Sequence, residues 1–233
     1  MANEPDAVML FAAGLGTRMG VLTAHQPKPL IKVAGRALID HALDQVGHVR
    51  RIVVNLHYLP DQIRAHLRDR DDILFSDETD TVLETGGGLR KAMPLLAQDP
   101  VFTMNTDAVW TGENALSQLV RSWNPDIMDA LLLLVPRDRA IGHRGAGDFL
   151  IAPDGSLSRG PGLVYTGAQI IKTDELSAIA EPVFSLNRLW DGMAAGRRLF
   201  GVVHTGGWCD VGRPESIPLA EAMLKEAHDV RPG

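Results

Sequence analysis

The side chains of this sequence that are spaced to do chemistry suit phosphate. An apolar run at 7–13 ends in Ala12-Ala13-Gly14-Leu15-Gly16-Thr17-Arg18-Met19-Gly20, and Pro27-Lys28-Pro29 follows a few residues on. Such a run bounded by glycine reads as a buried strand. Gly14 and Gly16 open a loop in which backbone N–H groups can approach a ligand with no side chain in the way. Arg18 adds a forked, permanently charged donor, and Lys28 lies close by in sequence, so the stretch can cradle a polyphosphate. The plainer reading is a tight strand-to-helix turn carrying a surface arginine.

Spacing excludes two other phosphate loops. The dinucleotide pattern G-x-G-x-x-G needs a small residue where Met19 stands, and no acidic residue follows at the distance that would hold a ribose. The P-loop pattern needs Gly-Lys-Ser/Thr after a four-residue gap, which is absent.

A second glycine cluster, Glu84-Thr85-Gly86-Gly87-Gly88, stands just before an expected helix. Consecutive glycines weaken regular structure and ask for a reason. Close approach of the main chain to a flat base is one; a flexible helix start capped by Thr85 is the other. Asn105-Thr106-Asp107 follows an apolar run, which puts Asp107 at the C-terminal end of a strand, where open α/β sheets bind ligands. Aspartate there is a hard oxygen ligand suited to Mg²⁺ and attached phosphates. Its commoner role is a turn or helix cap. The histidines show no metal-ligand spacing, and His41, His48, His57 and His66 read as solvent-facing. Cys209 reads as a small packed residue, and no G-x-S-x-G elbow supports acyl hydrolysis.

The elements that must position these residues alternate. Apolar periodicity predicts helices at 37–46, 60–67, 88–96, 186–195 and 214–226. Runs rich in β-branched and apolar residues predict strands at 51–56, 72–75, 101–104, 129–135, 149–151, 164–171 and 199–203, with 149–151 and 164–171 as antiparallel neighbours. The segment 136–147 reads as a loop at the sheet's edge. Alternation of this kind argues for a mostly parallel sheet covered on both faces.

Composition narrows the class. The 233 residues are 45% hydrophobic and 22% charged, with a net charge of −6 and 5% aromatics. No basic block offers a nucleic-acid face. The longest apolar run, 130–135, is far short of a membrane span, and the polar, acidic start is unlike a signal peptide. A cytoplasmic enzyme with no nucleic-acid or membrane partner is expected.

From Ala12 to Leu30 the chain resembles the signature of the sugar-1-phosphate nucleotidyltransferases. The Glu-Thr-Gly-Gly-Gly stretch is most similar to the N-acetylmuramate-1-phosphate uridylyltransferases and related mannose-1-phosphate guanylyltransferases. The resemblance implies a single Rossmann-like three-layer α/β domain of the nucleotide-diphospho-sugar transferase type, with a mostly parallel central sheet. It divides into a nucleotide-binding part over about 1–125, a small sugar-binding lobe over about 126–212 and a closing helix over about 213–233. It implies that Ala12, Ala13, Gly14, Gly16 and Thr17 wrap the nucleotide phosphates, that Arg18 and Lys28 contact them, and that Glu84, Thr85, Gly86 and Gly87 meet the base. It implies too that Asn105 contacts the nucleotide, and that Asp107 pairs on Mg²⁺ with Asp210 of Trp208-Cys209-Asp210-Val211-Gly212. Asp148 of Gly145-Ala146-Gly147-Asp148-Phe149, and Tyr165, Thr166 and Gly167, fall where that family binds sugar.

Two departures stand out. Thr106 replaces a common glycine and could crowd the phosphate path. The Glu-Lys-Pro that many relatives use to hold the sugar phosphate is absent, with Arg137, Arg139 or Arg144 as candidate substitutes. The implied reaction joins a nucleoside triphosphate to a sugar 1-phosphate and releases pyrophosphate, with UTP and N-acetylmuramate 1-phosphate in cell-wall recycling as the first choice. GTP with mannose 1-phosphate, or cytidylyl transfer to a phosphorylated alcohol, stays open. A nucleotide-binding regulator is the rival from another class, and a dehydrogenase has the least support. No hexapeptide β-helix follows the closing helix, so one activity is expected.

Overall fold

In the computed structural model, residues 4–47 and 49–229 are described; His48 lies outside them. Strand β1 (Ala7–Phe11) leads through the glycine loop into a 3-10 turn at Thr17–Thr23. A short hairpin, β2 (Lys32–Val33) and β3 (Arg36–Ala37), then turns the chain into helix α1 (Leu38–Val46). Two strand–helix units follow, β4 (Arg51–Leu56) with α2 (Pro60–His66) and β5 (Ile73–Asp77) with α3 (Glu84–Leu96). Next come β6 (Val101–Asn105), β7 (Ala108–Trp110), α4 (Ala115–Ser122) and β8 (Ala130–Val135). The remainder holds β9 (Ala140–Ile141), the hairpin β10 (Phe149–Ile151) and β11 (Leu157–Arg159), and the long β12 (Val164–Ile171). It closes with α5 (Asn187–Ala195), β13 (Leu199–Val203), β14 (Trp208–Asp210) and α6 (Ser216–Asp229).

Seven strands form the central sheet in the order β13-β8-β12-β6-β1-β4-β5. Every neighbour is parallel except β12, which runs antiparallel to both β6 and β8. Continuous apolar strands are what a sheet covered on both faces requires. In β1 the alternation is visible residue by residue: Val8 and Leu10 join the core under α1, α2 and α4, while Ala7 and Met9 join the core under α3 and α5. The three-layer α/β architecture is the one the sequence implies. Among the described residues no helix is long and apolar enough to cross a membrane.

Several local expectations are corrected. Helix α3 begins at Glu84, not at 88, so the glycines 86–88 lie inside its first turns. β10 pairs with β11 and meets the segment before β12 only through a bridge from Phe149 to Leu163, so it is no neighbour of β12 in the sheet. The supposed loop at 136–147 contains a 3-10 turn and β9. His41 is buried, with its Nε2 at 3.0 Å from the Val33 carbonyl.

A second sheet, β7-β14-β9, matters most for function. Its strands are two or three residues long, too short for periodicity to announce. Val109 and Cys209 of these strands, with Val211 just after β14, pack against Met19 of the loop region and against Ala220 and Met223 of α6. The turn after β1 and the ends of β7 and β14 are thereby held as one body.

Candidate active site

The C-terminal ends of β1, β4, β5 and β6 enclose a cavity of about 220 Å³, lined among others by Ala12, Ala13, Gly14, Lys28, Asn55, Glu78, Glu84, Thr85, Asn105 and Asp107. Most of the residues expected to touch a nucleotide are therefore neighbours, as the open-sheet rule predicts.

Along the glycine loop, each residue has a separate reason. Gly16 takes φ +64°, and a Cβ there would stand 2.9 Å from the Cβ of Lys28, so glycine lets the Pro-Lys-Pro segment pass behind the loop. Gly14 faces open space, with nothing within 4 Å of a Cβ. Thr17 and Arg18 are exposed, and Met19 is fully buried as the loop's anchor. The amides of Ala12 and Ala13 do not face a ligand: both donate to Asn55 Oδ1, at 2.7 and 3.2 Å. These two residues form the cavity wall, and the donors left for phosphate lie further along the loop.

Lys28 is 8% exposed, and its Nζ sits 2.6 Å from Asp107 Oδ2. A buried ammonium needs such a partner, because desolvation alone would strip its charge. Asp107 and Asp210, far apart in sequence, are joined by the small sheet. β14 pairs with β7 so that Asp210 lies opposite Ala108, and the Val211 amide donates to the Asp107 carbonyl at 2.9 Å. Burial and the charge of Asp107 raise the Asp210 carboxyl above its ordinary range, against the opposing pull of Lys28, Arg18 and His143. Like charges gathered under such a cost are typical of a site that holds cations or phosphates.

The donor set fits Mg²⁺. Among the described residues no cluster of three or more His, Cys, Asp or Glu side chains forms. Two carboxylates suffice for this ion, which completes its shell with water and substrate phosphate oxygens. Thr106 does not obstruct the path in the way its size suggested. Its side chain is buried, and its hydroxyl donates to the Phe11 carbonyl at 2.8 Å.

The glycine cluster has a packing reason of its own. Gly86 and Gly87 donate their amides to the Phe184 carbonyl, at 2.9 and 3.0 Å. A Cβ on Gly86 would overlap the Phe184 ring, one on Gly87 the Pro182 carbonyl oxygen, and one on Gly88 would lie 2.8 Å from Glu78 Oε1. The cluster lets α3 pack closely. Of these residues only Glu84 and Thr85 reach the cavity, and Thr85 is no helix cap, since its hydroxyl accepts from the Leu186 amide at 3.0 Å.

The residues expected to bind sugar are differently engaged. The Tyr165 ring is packed edge-on to Trp190 at 4.9 Å, and burial raises its phenol. Thr166 donates its hydroxyl to the Leu133 carbonyl at 2.6 Å, and its own carbonyl accepts from the Trp208 indole. Gly167 gives clearance to Asn105, whose Cβ would be 2.8 Å from a Cβ there. Asp148 accepts from the Tyr165 amide at 2.9 Å. The hydroxyl of Thr166 and the ring of Tyr165 brace β12 against its neighbours. Among the substitutes for the missing lysine, Arg144 pairs with Glu215 at 2.8 Å and Arg139 lines a separate cavity with Trp110 and Met223.

Two residues escaped the sequence reading. Asn55 is the penultimate residue of β4 and is 3% exposed; Glu78 follows β5 and is 1% exposed. Asn55 Nδ2 donates to Glu78 Oε1 at 2.8 Å while its Oδ1 holds the Ala12 and Ala13 amides. Burial raises the Glu78 carboxyl, opposed by Asn55 and the Leu83 amide. The available signal was an amide near the C-terminal end of the strand expected at 51–56 and an acid a few residues beyond the one expected at 72–75.

This centre has positioning groups, fixed charge and no triad, which is equipment for moving a phosphoryl-type group, and with this fold the class defined is a nucleotidyltransferase. The MobA-like NTP transferase domain matches residues 8–197, and the chain belongs to that family. It is 40% identical to an N-acetylmuramate alpha-1-phosphate uridylyltransferase of Caulobacter vibrioides, over 97% of this chain and 100% of the relative. A protein of the same name from Neisseria meningitidis serogroup B is 34% identical over 92% and 96%. Among solved structures, an inositol-1-phosphate CTP transferase from T. maritima superposes with a TM-score of 0.77 at 16% identity, over 98% of each chain, which is likeness of fold.

Proposed function

We propose that the chain transfers the uridylyl group of UTP to N-acetylmuramate 1-phosphate, with Mg²⁺ held between Asp107 and Asp210. The observation that carries this reading is the meeting of Lys28, Asp107 and Asp210 at one end of the glycine loop, in a chain 40% identical to a uridylyltransferase of that name. The sugar-phosphate oxygen forms a bond to the α-phosphorus of UTP as the bond to the β-phosphate oxygen breaks, and pyrophosphate leaves. A phosphate monoester has its second pKa at about 6, so the attacking oxygen is ionised at neutral pH and no general base is needed. Catalysis then reduces to placing two anions in line and neutralising their repulsion. Arg18 and the free amides beyond Ala13 would hold the triphosphate, and Lys28 would balance the charge that grows on transfer. Mg²⁺, when bound, supplies polarisation of the α-phosphate. A nucleoside triphosphate donor also suits the cytoplasmic setting expected from the sequence.

The test is pyrophosphate release with Mg²⁺, crossing four nucleoside triphosphates with a panel of sugar 1-phosphates. Release with UTP and N-acetylmuramate 1-phosphate is expected. Release only with another pair would move the substrates, and nucleotide binding without release across the panel would leave a regulator.

A further inference from the structure

The phosphate loop is tied down from outside, at both ends, by one neighbouring segment. At the entrance Asn55 of β4 takes the Ala12 and Ala13 amides. At the exit, the stretch that follows β4 holds three successive carbonyls. The Tyr58 hydroxyl is shared between the Thr23 carbonyl at 2.9 Å and the Ala24 carbonyl at 3.2 Å. Gln62 Nε2, in α2, donates to the His25 carbonyl at 2.9 Å. Leu59, between Tyr58 and α2, takes φ +48°, a conformation that is costly for a bulky side chain. Neither Tyr58 nor Gln62 lines the nucleotide cavity.

From Tyr58 the tie reaches Arg18 in two links. Thr23, whose carbonyl Tyr58 holds, shares its own hydroxyl between the Gly16 carbonyl at 3.0 Å and the Gly20 carbonyl at 3.2 Å. Those two carbonyls bracket Thr17, Arg18 and Met19. Gly20 breaks the turn with φ +58° and ψ −127°, which glycine adopts freely. Met19 anchors the middle of the turn in the core, and the Thr23 hydroxyl fixes its two ends. Arg18 is exposed and makes no hydrogen bond or ion pair among the described residues. Its guanidinium is therefore placed by the backbone that carries it. Lys28 differs, being buried between two prolines with Asp107 as its own partner.

We propose that Tyr58 is a positioning residue for the transfer: through Thr23 it holds the turn of the phosphate loop at the angle from which Arg18 meets the triphosphate. The gain is preorganisation, since a charge fixed before the substrate arrives need not be ordered during the reaction.

This inference deepens the nucleotidyl-transfer reading and rests on it. The experiment is a double-mutant cycle in kcat/KM for UTP, on the wild type, Tyr58→Phe, Arg18→Ala and the double variant. Thermal unfolding of each protein accompanies it. Tyr58→Phe deletes one hydroxyl from a half-buried ring, and its unfolding temperature should fall by about 2–4 °C, the shift that goes with one hydrogen bond at this chain length. With Arg18 present, Tyr58→Phe should lower kcat/KM about tenfold. In the Arg18→Ala background the same change should cost less than about twofold, because the group it places is gone. A brace that served the fold alone would act irrespective of Arg18. An equal loss in both backgrounds, or no loss with Arg18 present, would therefore overturn the proposal. Gln62→Ala runs the same cycle from α2, with an expected loss of about threefold confined to the proteins that keep Arg18, so the outcome does not hang on the folding of one variant. Where turnover of Arg18→Ala is too slow to read, UTP binding by isothermal titration repeats the cycle with the same two outcomes. The transfer reading fails separately, through absence of pyrophosphate release by the wild type, and the binding cycle then still decides the role of Tyr58.

Discussion

Replacing Gly87 by alanine sets two effects of opposite sign against each other. On helix propensity alone, glycine to alanine inside α3 gains about 1 kcal/mol. Here the added Cβ would overlap the Pro182 carbonyl oxygen and stand 3.1 Å from Leu83 Cβ. That oxygen cannot swing aside as a side-chain tip could. Its segment is tied to α3 by the Gly86 and Gly87 amides on the Phe184 carbonyl and by the Phe184 amide on the Leu83 carbonyl at 3.3 Å. Relief means shifting backbone and stretching hydrogen bonds worth about 1 kcal/mol each, on top of an overpacking cost of about 1–3 kcal/mol. The cost exceeds the propensity gain, and a net destabilisation of about 1–2 kcal/mol is expected. Equilibrium urea unfolding reads this directly: with a slope of about 2–3 kcal/mol/M, the midpoint should fall by about 0.5 M at unchanged slope. Gly14→Ala is the control, since nothing lies within 4 Å of its Cβ, and it should stay within about 0.5 kcal/mol of wild type. An unchanged or raised midpoint for Gly87→Ala would refute the packing explanation of the glycine cluster.

Further predictions concern buried titratable groups. His204 is fully buried, takes Gln118 Nε2–H at its Nδ1 at 2.7 Å, and turns its Nε2 to the Thr111 carbonyl at 3.2 Å. Burial lowers its pKa from 6.5, so the unfolded chain binds the extra proton and stability should fall as pH drops below about 6.5. Asp210 and Glu78, both raised, push stability the other way as pH falls, so the readout is the difference in pH slope between wild type and His204→Gln. Identical slopes would contradict the assignment. Cys209 is the only cysteine and is buried, with its thiol pushed up to about 12 by desolvation and Asp210. Its labelling by an aromatic disulfide at about pH 8 should proceed at the rate of unfolding, and immediate stoichiometric reaction of the native protein would contradict that. Thr106→Val should cost about 1–3 kcal/mol in urea unfolding, because the Phe11 carbonyl loses its partner; a cost near zero would mean that carbonyl has found another.

What the sequence could say followed the range of its signals. β1, β4, β6, β8 and β12 were legible because strands of a doubly covered sheet are long apolar runs. The phosphate loop was legible because glycines, Arg18 and Lys28 are close in sequence. Asp107 was placed correctly at a strand end, but its meeting with Asp210 depends on β7 and β14, three residues each, and only family resemblance joined them beforehand. The packing role of the triple glycine was hidden because its partners, Pro182 and Phe184, are remote in sequence: a local pattern shows that space is needed without showing what fills it. For the same reason Asn55 and Glu78 went unnoticed, since each is unremarkable until β4 and β5 lie side by side. The motif around Tyr165 and Thr166 says nothing of the register shift in β12 between Tyr165 and Gln169, which helps set which way its side chains turn.

The most direct test of the centre formed by Lys28, Asp107 and Asp210 is the turnover of Asp210→Asn, measured beside its thermal unfolding. Burial beside Asp107 makes the charge of Asp210 a cost to the fold, so the neutral variant should unfold at the same temperature or higher. Its kcat for pyrophosphate release should fall by about 10²–10³ or more, the loss typical of removing one preorganised electrostatic group. A stable variant that keeps its activity to within about tenfold would contradict the placement of the reaction at this pair of carboxylates.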